Sequence, residues 1–198
     1  MNNALAELGS DDVLTQNEGV AGVIGVGKTA VPPLLQLLEK GLPNRSQVMY
    51  ALSQIGDVRA VEAFRAGLLA ENEQVRAYAA QGLAHVGDPK AMAACLQTIN
   101  DAADELHLDI TPSVRALGQM GLRAVPSLLD LLMHDDEITR LHAQRALELI
   151  VAWRATLKAA EEMRREWHEN GDYDYSADAE TRAISVTTWR KWLKEANE

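Results

Sequence analysis

The chain has 198 residues, 47% of them hydrophobic and 24% charged, with a formal net charge of −10. That length can bury a sizeable core, as one domain or one continuous array of repeats. The acidity argues against a general nucleic-acid binder, which needs a basic surface to displace counterions, and against docking on anionic membranes.

Residues 1–12 read as a short lead-in. Asp11 and Asp12 are placed to cap a helix from about Val13 to Val26, because a short acceptor side chain satisfies amides that the first turn leaves open. Gly27-Lys28-Thr29 makes a turn, and Ala30-Val31-Pro32-Pro33-Leu34-Leu35 opens a partner helix that Gly41 and Pro43 stop. Proline is tolerated there because first-turn N–H groups have no helical acceptor. A second pair is predicted over 45–55 and 58–70. A third runs over 73–86, capped by Asn72, and 89–100. A polar connection spans 101–112, and Thr111-Pro112 starts a fourth pair that turns at Gly121.

The units repeat. Ile55-Gly56-Asp57-Val58-Arg59-Ala60 returns as Val86-Gly87-Asp88-Pro89-Lys90-Ala91, with Gly56 and Gly87 31 residues apart. Gly121-Leu122-Arg123-Ala124-Val125-Pro126 repeats Gly27-Lys28-Thr29-Ala30-Val31-Pro32. From Asp136 the texture changes. One long helix is predicted over 138–168, then an acidic loop to about Glu180, then a last helix over 186–196 carrying Trp189 and Trp192. An end repeat leaves an apolar face open, so 138–198 reads as a cap on the four pairs of 1–137, with Trp153, Trp167, Trp189 and Trp192 supplying its area.

Gly-Asp-x-x-Ala at the interhelix turn, Ala-Val-Pro-x-Leu-Leu opening the second helix, and Val75-Arg76-Ala77 with Val114-Arg115-Ala116 in the first helices resemble the short HEAT-like repeats of bilin-lyase-type proteins. Repeat two departs with Val48-Met49-Tyr50, and repeat one with Gly19-Val20-Ala21. The resemblance implies an all-α, right-handed α-solenoid of helical hairpins, in which second helices line the concave side. It leaves function open, since one solenoid hosts many roles.

Three motifs invite chemistry. Gly22-Val23-Ile24-Gly25-Val26-Gly27-Lys28-Thr29 satisfies the phosphate-loop pattern, but no strand precedes it and two prolines follow, so it reads as a repeat turn. Asp172-Tyr173-Asp174-Tyr175-Ser176-Ala177-Asp178 spaces oxygens like a calcium loop, yet Ala177 and Ala183 stand where that loop needs glycine and glutamate. His134, Asp135, Asp136 and His142 lie near one junction without diagnostic metal spacing, and Asp136 suits an N-cap. No catalytic constellation is evident, and no metal or cofactor is expected. Cys95, the one cysteine, stands where its sister repeat has Phe64 and reads as a small buried residue. No apolar run reaches membrane-spanning length and no basic stretch precedes an apolar one at Met1–Leu5, so the cytoplasm is the expected compartment.

The expected function is a non-catalytic protein-interaction scaffold, monomeric or weakly dimeric, with a protein partner. Aligned on Ala30, Ala60, Ala91 and Ala124, the second helices bury Leu34, Phe64, Cys95 and Leu128. They present Gln36, Glu62, Ala63, Ala66, Ala94, Gln97, Ser127, Asp130 and His134 as the partner-binding face. Small residues at its centre would leave a trough for a partner helix or loop. Other classes are a lyase- or chaperone-like factor of the bilin-lyase type, a nucleic-acid-acting enzyme disfavoured by the charge, and a structural spacer.

Overall fold

Each described first helix after α1 begins on, or close after, a residue that can accept a hydrogen bond. In this computed structural model, which describes residues 1–41, 44–103, 110–154, 165, 167–169 and 171–195, Asp12 takes the amide of Thr15 and opens α2 (Val13–Val26). Asn72 takes that of Val75 for α6 (Glu73–His85), and Thr111 that of Val114 for α8 (Pro112–Met120). Asp136 does the same with Thr139, 2.8 Å away, for α10 (Glu137–Arg154). At the intervening turns Gly27, Gly56, Gly87 and Gly121 all have φ between 62° and 72°, where a Cβ would strain the chain. No strand occurs among the described residues.

The remaining helices are α1 (Asn2–Glu7), α3 (Val31–Glu39), α4 (Arg45–Ile55), α5 (Val61–Gly67), α7 (Ala91–Gln97), α9 (Val125–Leu131) and α11 (Ala179–Glu195). The pairs are α2/α3, α4/α5, α6/α7 and α8/α9, which makes the chain an all-α solenoid. Second helices are shorter than the pattern predicts. Val58–Ala60 is a 3₁₀ turn, held by Asp57 on the Arg59 amide, and α5 starts only after it.

Packing divides the chain into Met1–Asp101 and Ala102–Glu198, whereas the sequence pattern divides it into 1–137 and 138–198. In the first unit, first helices stack on one another (α2 on α4, α4 on α6), and α3 and α5 each lie against the next first helix. The core is Val23, Leu34, Leu52, Phe64, Leu83 and Cys95, all fully buried. Arginines stitch the repeats. Arg59 holds Asp57 and reaches the Lys28 carbonyl of the preceding turn, and Arg65 holds the buried carboxylate of Asp88 in the following one, at 2.7 Å. Paired with the Arg59 guanidinium and bonded by the Arg59 amide, Asp57 sits far below the ordinary carboxylate pKa.

In the second unit α10 packs on α8 and α9, and α11 on α9. Leu117, Leu128, Leu132, Leu147 and Trp189 form its core. Trp189 meets Trp167 and Trp192 at ring-centroid distances of 5.3 and 5.1 Å. The side chain of Trp153 and the course of 155–164 lie outside the described residues.

The structure corrects or refines the expectations at four points. The lead-in contains a helix, α1, seated where Gly19 and Gly22 leave α2 bare: a Cβ at Gly22 would lie 2.8 Å from that of Ala4. The stretch Val13–Glu39 is a 27-residue helical run with a window of mean hydropathy 1.3, long and apolar enough by those measures to cross a membrane. Gly27 breaks it, leaving helices of 14 and 9 residues, against the ~20 a span requires. The last helix starts at Ala179, not 186, because Asp178 caps it through Thr181 and Glu180. The acidic loop before it is anchored within the second unit. Tyr173 is 2% exposed and donates to the Leu132 carbonyl, and buried Arg140 donates to that of Tyr175.

Candidate functional site: a cleft between two second helices

In the first unit a cleft of about 320 Å³ lies between α3 and α5, over α4. Its floor includes Met49 and Gly67. A Cβ on Gly67 would come within 2.8 Å of the Met49 methyl and 2.9 Å of Ala79, so the glycine is fixed by the packing beneath the cleft. Leu35 and Leu38 of α3 and Ala63 and Ala66 of α5 form the walls, with Glu39, Arg45, Arg59 and Glu62 around them. Arg59 is committed to Asp57 and the Lys28 carbonyl. Glu62 pairs with Arg65 at 2.8 Å, but its side chain is 82% exposed, so that pair is weak.

Of the predicted face, Glu62, Ala63 and Ala66 line this cleft. Gln36 and Gln97 are exposed on α3 and α7, outside its lining. Ala94 is misplaced by the sequence reading. It is 3% exposed, because α7 tucks this position inward and Thr98 bonds the Ala94 carbonyl at 2.9 Å. Ser127, Asp130 and His134 belong to the second unit. Ser127 is half-buried and Asp130 and His134 are exposed. Asp130 is engaged by Arg190 of α11 at 2.8 Å, and His134 Nδ1 accepts the Asp136 amide.

Sequence reasoning missed Leu35, Leu38, Glu39, Arg45 and Met49. A signal was present at Met49, where repeat two departs from Val-Arg-Ala. In repeat three the arginine of that signature, Arg76, donates to the carbonyls of Ala70 and Glu71 and grips Asp101. Arg140 makes the same two bonds, six and five residues back, to His134 and Asp135. Methionine cannot staple its loop this way, and at this repeat the side chain is buried beneath the cleft, 1% exposed.

The other motifs resolve into structure. Gly22 lies inside α2 and Thr29 Oγ1 donates to the Val26 carbonyl, so the phosphate-loop pattern spans a helix and a turn. In the acidic loop Asp174 bonds Ser176, Asp178 caps α11 and Asp172 bonds His168, so each carboxylate is used locally. His142 is fully buried while His134 is exposed, and among the described residues no group of three or more His, Cys, Asp or Glu is arranged to hold a metal.

Paired helices joined at left-handed glycines, with arginines binding the turn at Gly56 and its helix to the turns at Gly27 and Gly87 in the first unit, define an α-solenoid. The HEAT-repeat family model matches residues 62–148, and the PBS lyase HEAT-like repeat model matches residues 45–69. The chain is a HEAT-like repeat protein. No curated protein matches it. Among solved structures it is similar to the crystal structure of an engineered protein, at 16% identity over 98% of each chain and a TM-score of 0.41.

Proposed function

We propose that this protein is a non-catalytic interaction scaffold whose cleft between α3 and α5 receives a segment of a partner protein. The observation that carries this is an open cleft with an apolar floor of Met49 and Gly67 and charged side chains at its edges. Apolar contact supplies affinity and the surrounding charges supply orientation. Ala66 is exposed within it, so an arginine there fills the cleft without entering the core. The test is capture of partners from native lysate by parent and Ala66→Arg protein in parallel. A protein retained by the parent and lost by the variant, with matching melting curves, supports the reading. Equal recovery by both overturns it.

A lyase- or chaperone-like role of the bilin-lyase type is the second reading. It rests on the PBS lyase HEAT-like match over 45–69, which contains most of the cleft-lining residues. Under the scaffold reading a free bilin mixed with the protein keeps its absorbance spectrum unchanged; a bound, shifted spectrum would favour the lyase-type role.

A further inference from the structure

Four of the first helices, α2, α6, α8 and α10, begin on a residue whose side chain accepts the amide three positions on. The helix α4 begins on Asn44, a residue type suited to that role, yet its side chain makes no such bond. It is used elsewhere. Asn44 Nδ2 donates to the Leu8 carbonyl at 2.8 Å, 36 residues back. The backbone differs accordingly. Asn44 has φ of −93° and ψ of 42°, whereas the capping residues Asp12 and Asn72 are extended, with ψ of 119° and 120°.

This bond holds the residue that ends α1. That helix has 6 residues and no side-chain cap of its own, too few to persist in water unaided. Its hold on the rest of the chain is narrow. Ala4 and Leu8 are buried, while Met1, Asn2, Asn3 and Ala6 are exposed. It fits because α2 carries glycine beneath it. A Cβ at Gly19 would lie 2.7 Å from the Leu8 nitrogen and 2.8 Å from the Ala4 carbonyl oxygen. A short segment with few buried contacts opens as a unit, at the low end of local stability. When it opens, Asn44 is free to do for α4 what Asn72 does for α6, so part of the lost bonding is regained.

We infer that α1 is a releasable strap over α2 and that Asn44 is its latch, bonded to Leu8 when the strap is seated and capping α4 when it is not. The strap and the start of α4 are thereby coupled. Seating α1 uncaps α4, and capping α4 releases α1, by the same factor in each direction. A side-chain cap is worth roughly fivefold in a helix equilibrium, and a neutral hydrogen bond about the same, so neither state is locked. Release bares Gly19 and Gly22, the part of α2 that Ala4 and Leu8 cover.

The test is amide hydrogen exchange, followed by NMR on the full chain. The amides of Leu5 and Leu8, which bond the carbonyls of Met1 and Ala4, report the strap. The amide of Gln47, three residues after Asn44, reports the cap. In the parent, Leu5 and Leu8 should exchange far faster than core amides such as those of Leu52 and Leu83. Asn44→Asp keeps an acceptor for the cap and removes the donor to Leu8. It should speed Leu5 and Leu8 roughly fivefold and slow Gln47. Asn44→Ala removes both functions and should speed the strap without slowing Gln47. Two variants leave Asn44 intact: Gly22→Ala, whose Cβ would lie 2.8 Å from that of Ala4, and Ala4→Leu, which crowds the same contact from the strap. Either should speed Leu5 and Leu8 and slow Gln47, an effect at α4 that a simple packing contact would not produce. Three results overturn the inference: Leu5 and Leu8 exchanging only with the core, a Gln47 amide that ignores both Gly22→Ala and Ala4→Leu, or one that speeds in Asn44→Asp.

Discussion

The ring of Phe64 lies against the bare backbone of Gly82, so close that a Cβ on Gly82 would sit 2.5 Å from Phe64 Cζ. Phe64 is the chain's one phenylalanine and is fully buried. Gly82 sits inside α6, where alanine would ordinarily favour the helix. The clash outweighs that preference, and Gly82→Ala is expected to destabilise the protein by about 1–3 kcal/mol, the usual range for overpacking. Chemical denaturation measures it. Adding Phe64→Leu should return part of the loss, which identifies the ring as the cause. Gly87→Ala should not be rescued this way, because its Cβ meets nothing and its penalty comes from φ of +72°.

Asp57 and Asp88 both have depressed pKa values, Asp57 through Arg59 and Asp88 through the Lys90 amide and then Arg65. The unfolded chain therefore binds protons at a higher pH than the folded one. Their stabilisation is present above the ordinary aspartate value of about 3.9 and is lost as pH falls toward the folded values. Melting temperature should fall steeply in acid below that point. Asp57→Asn should flatten this acid limb while lowering stability at neutral pH. An unchanged limb would remove Asp57 from the account.

Tyr173 gives the opposite sign. Burial raises its phenol to about 12, and its hydroxyl donates to the Leu132 carbonyl at 2.5 Å. The unfolded phenol loses its proton near 10, so this contribution is complete below that pH and is lost as pH rises toward 12. Ultraviolet titration should show one tyrosine ionising later than the rest. Tyr173→Phe should abolish the late step and cost about 1–3 kcal/mol, since it leaves a buried carbonyl unsatisfied.

The turns were legible in the sequence because their causes are local. Gly56-Asp57 and Gly87-Asp88 encode a positive φ and a carboxylate for the next amides, and both features need only a few consecutive residues. Burial of Leu34, Phe64, Cys95 and Leu128 followed from helical periodicity. The cleft was less legible, because it depends on what α4 places beneath α3 and α5. Met49 shows up in the sequence only as a missing arginine, and its place on the floor is set by Gly67 and Ala79 across the repeat. α1 was hidden for the same reason. Its seat is written in Gly19 and Gly22 of another helix, and Gly22 also opens the stretch that reads along the chain as a nucleotide motif.

Two alanines that the repeat pattern assigns to the same partner-binding face should separate sharply by experiment. Ala66 is exposed in the wall of the cleft, whereas Ala94 is 3% exposed in α7. An arginine at Ala66 can send its guanidinium to solvent and lay its stem over the cleft, as long cationic side chains do on apolar surface. Its effect on stability should stay within about 0.5 kcal/mol, the range for surface substitutions. An arginine at Ala94 has no such exit. It would displace core packing around Cys95 or bury a charge without a partner, at a cost of about 3 kcal/mol or more. Thermal melts of the two variants compare them directly. A near-native melt for Ala94→Arg would mean that this face of α7 opens to solvent and would return Ala94 to the binding surface. A collapsed melt for Ala66→Arg would mean that the space between α3 and α5 is too tight to admit any partner.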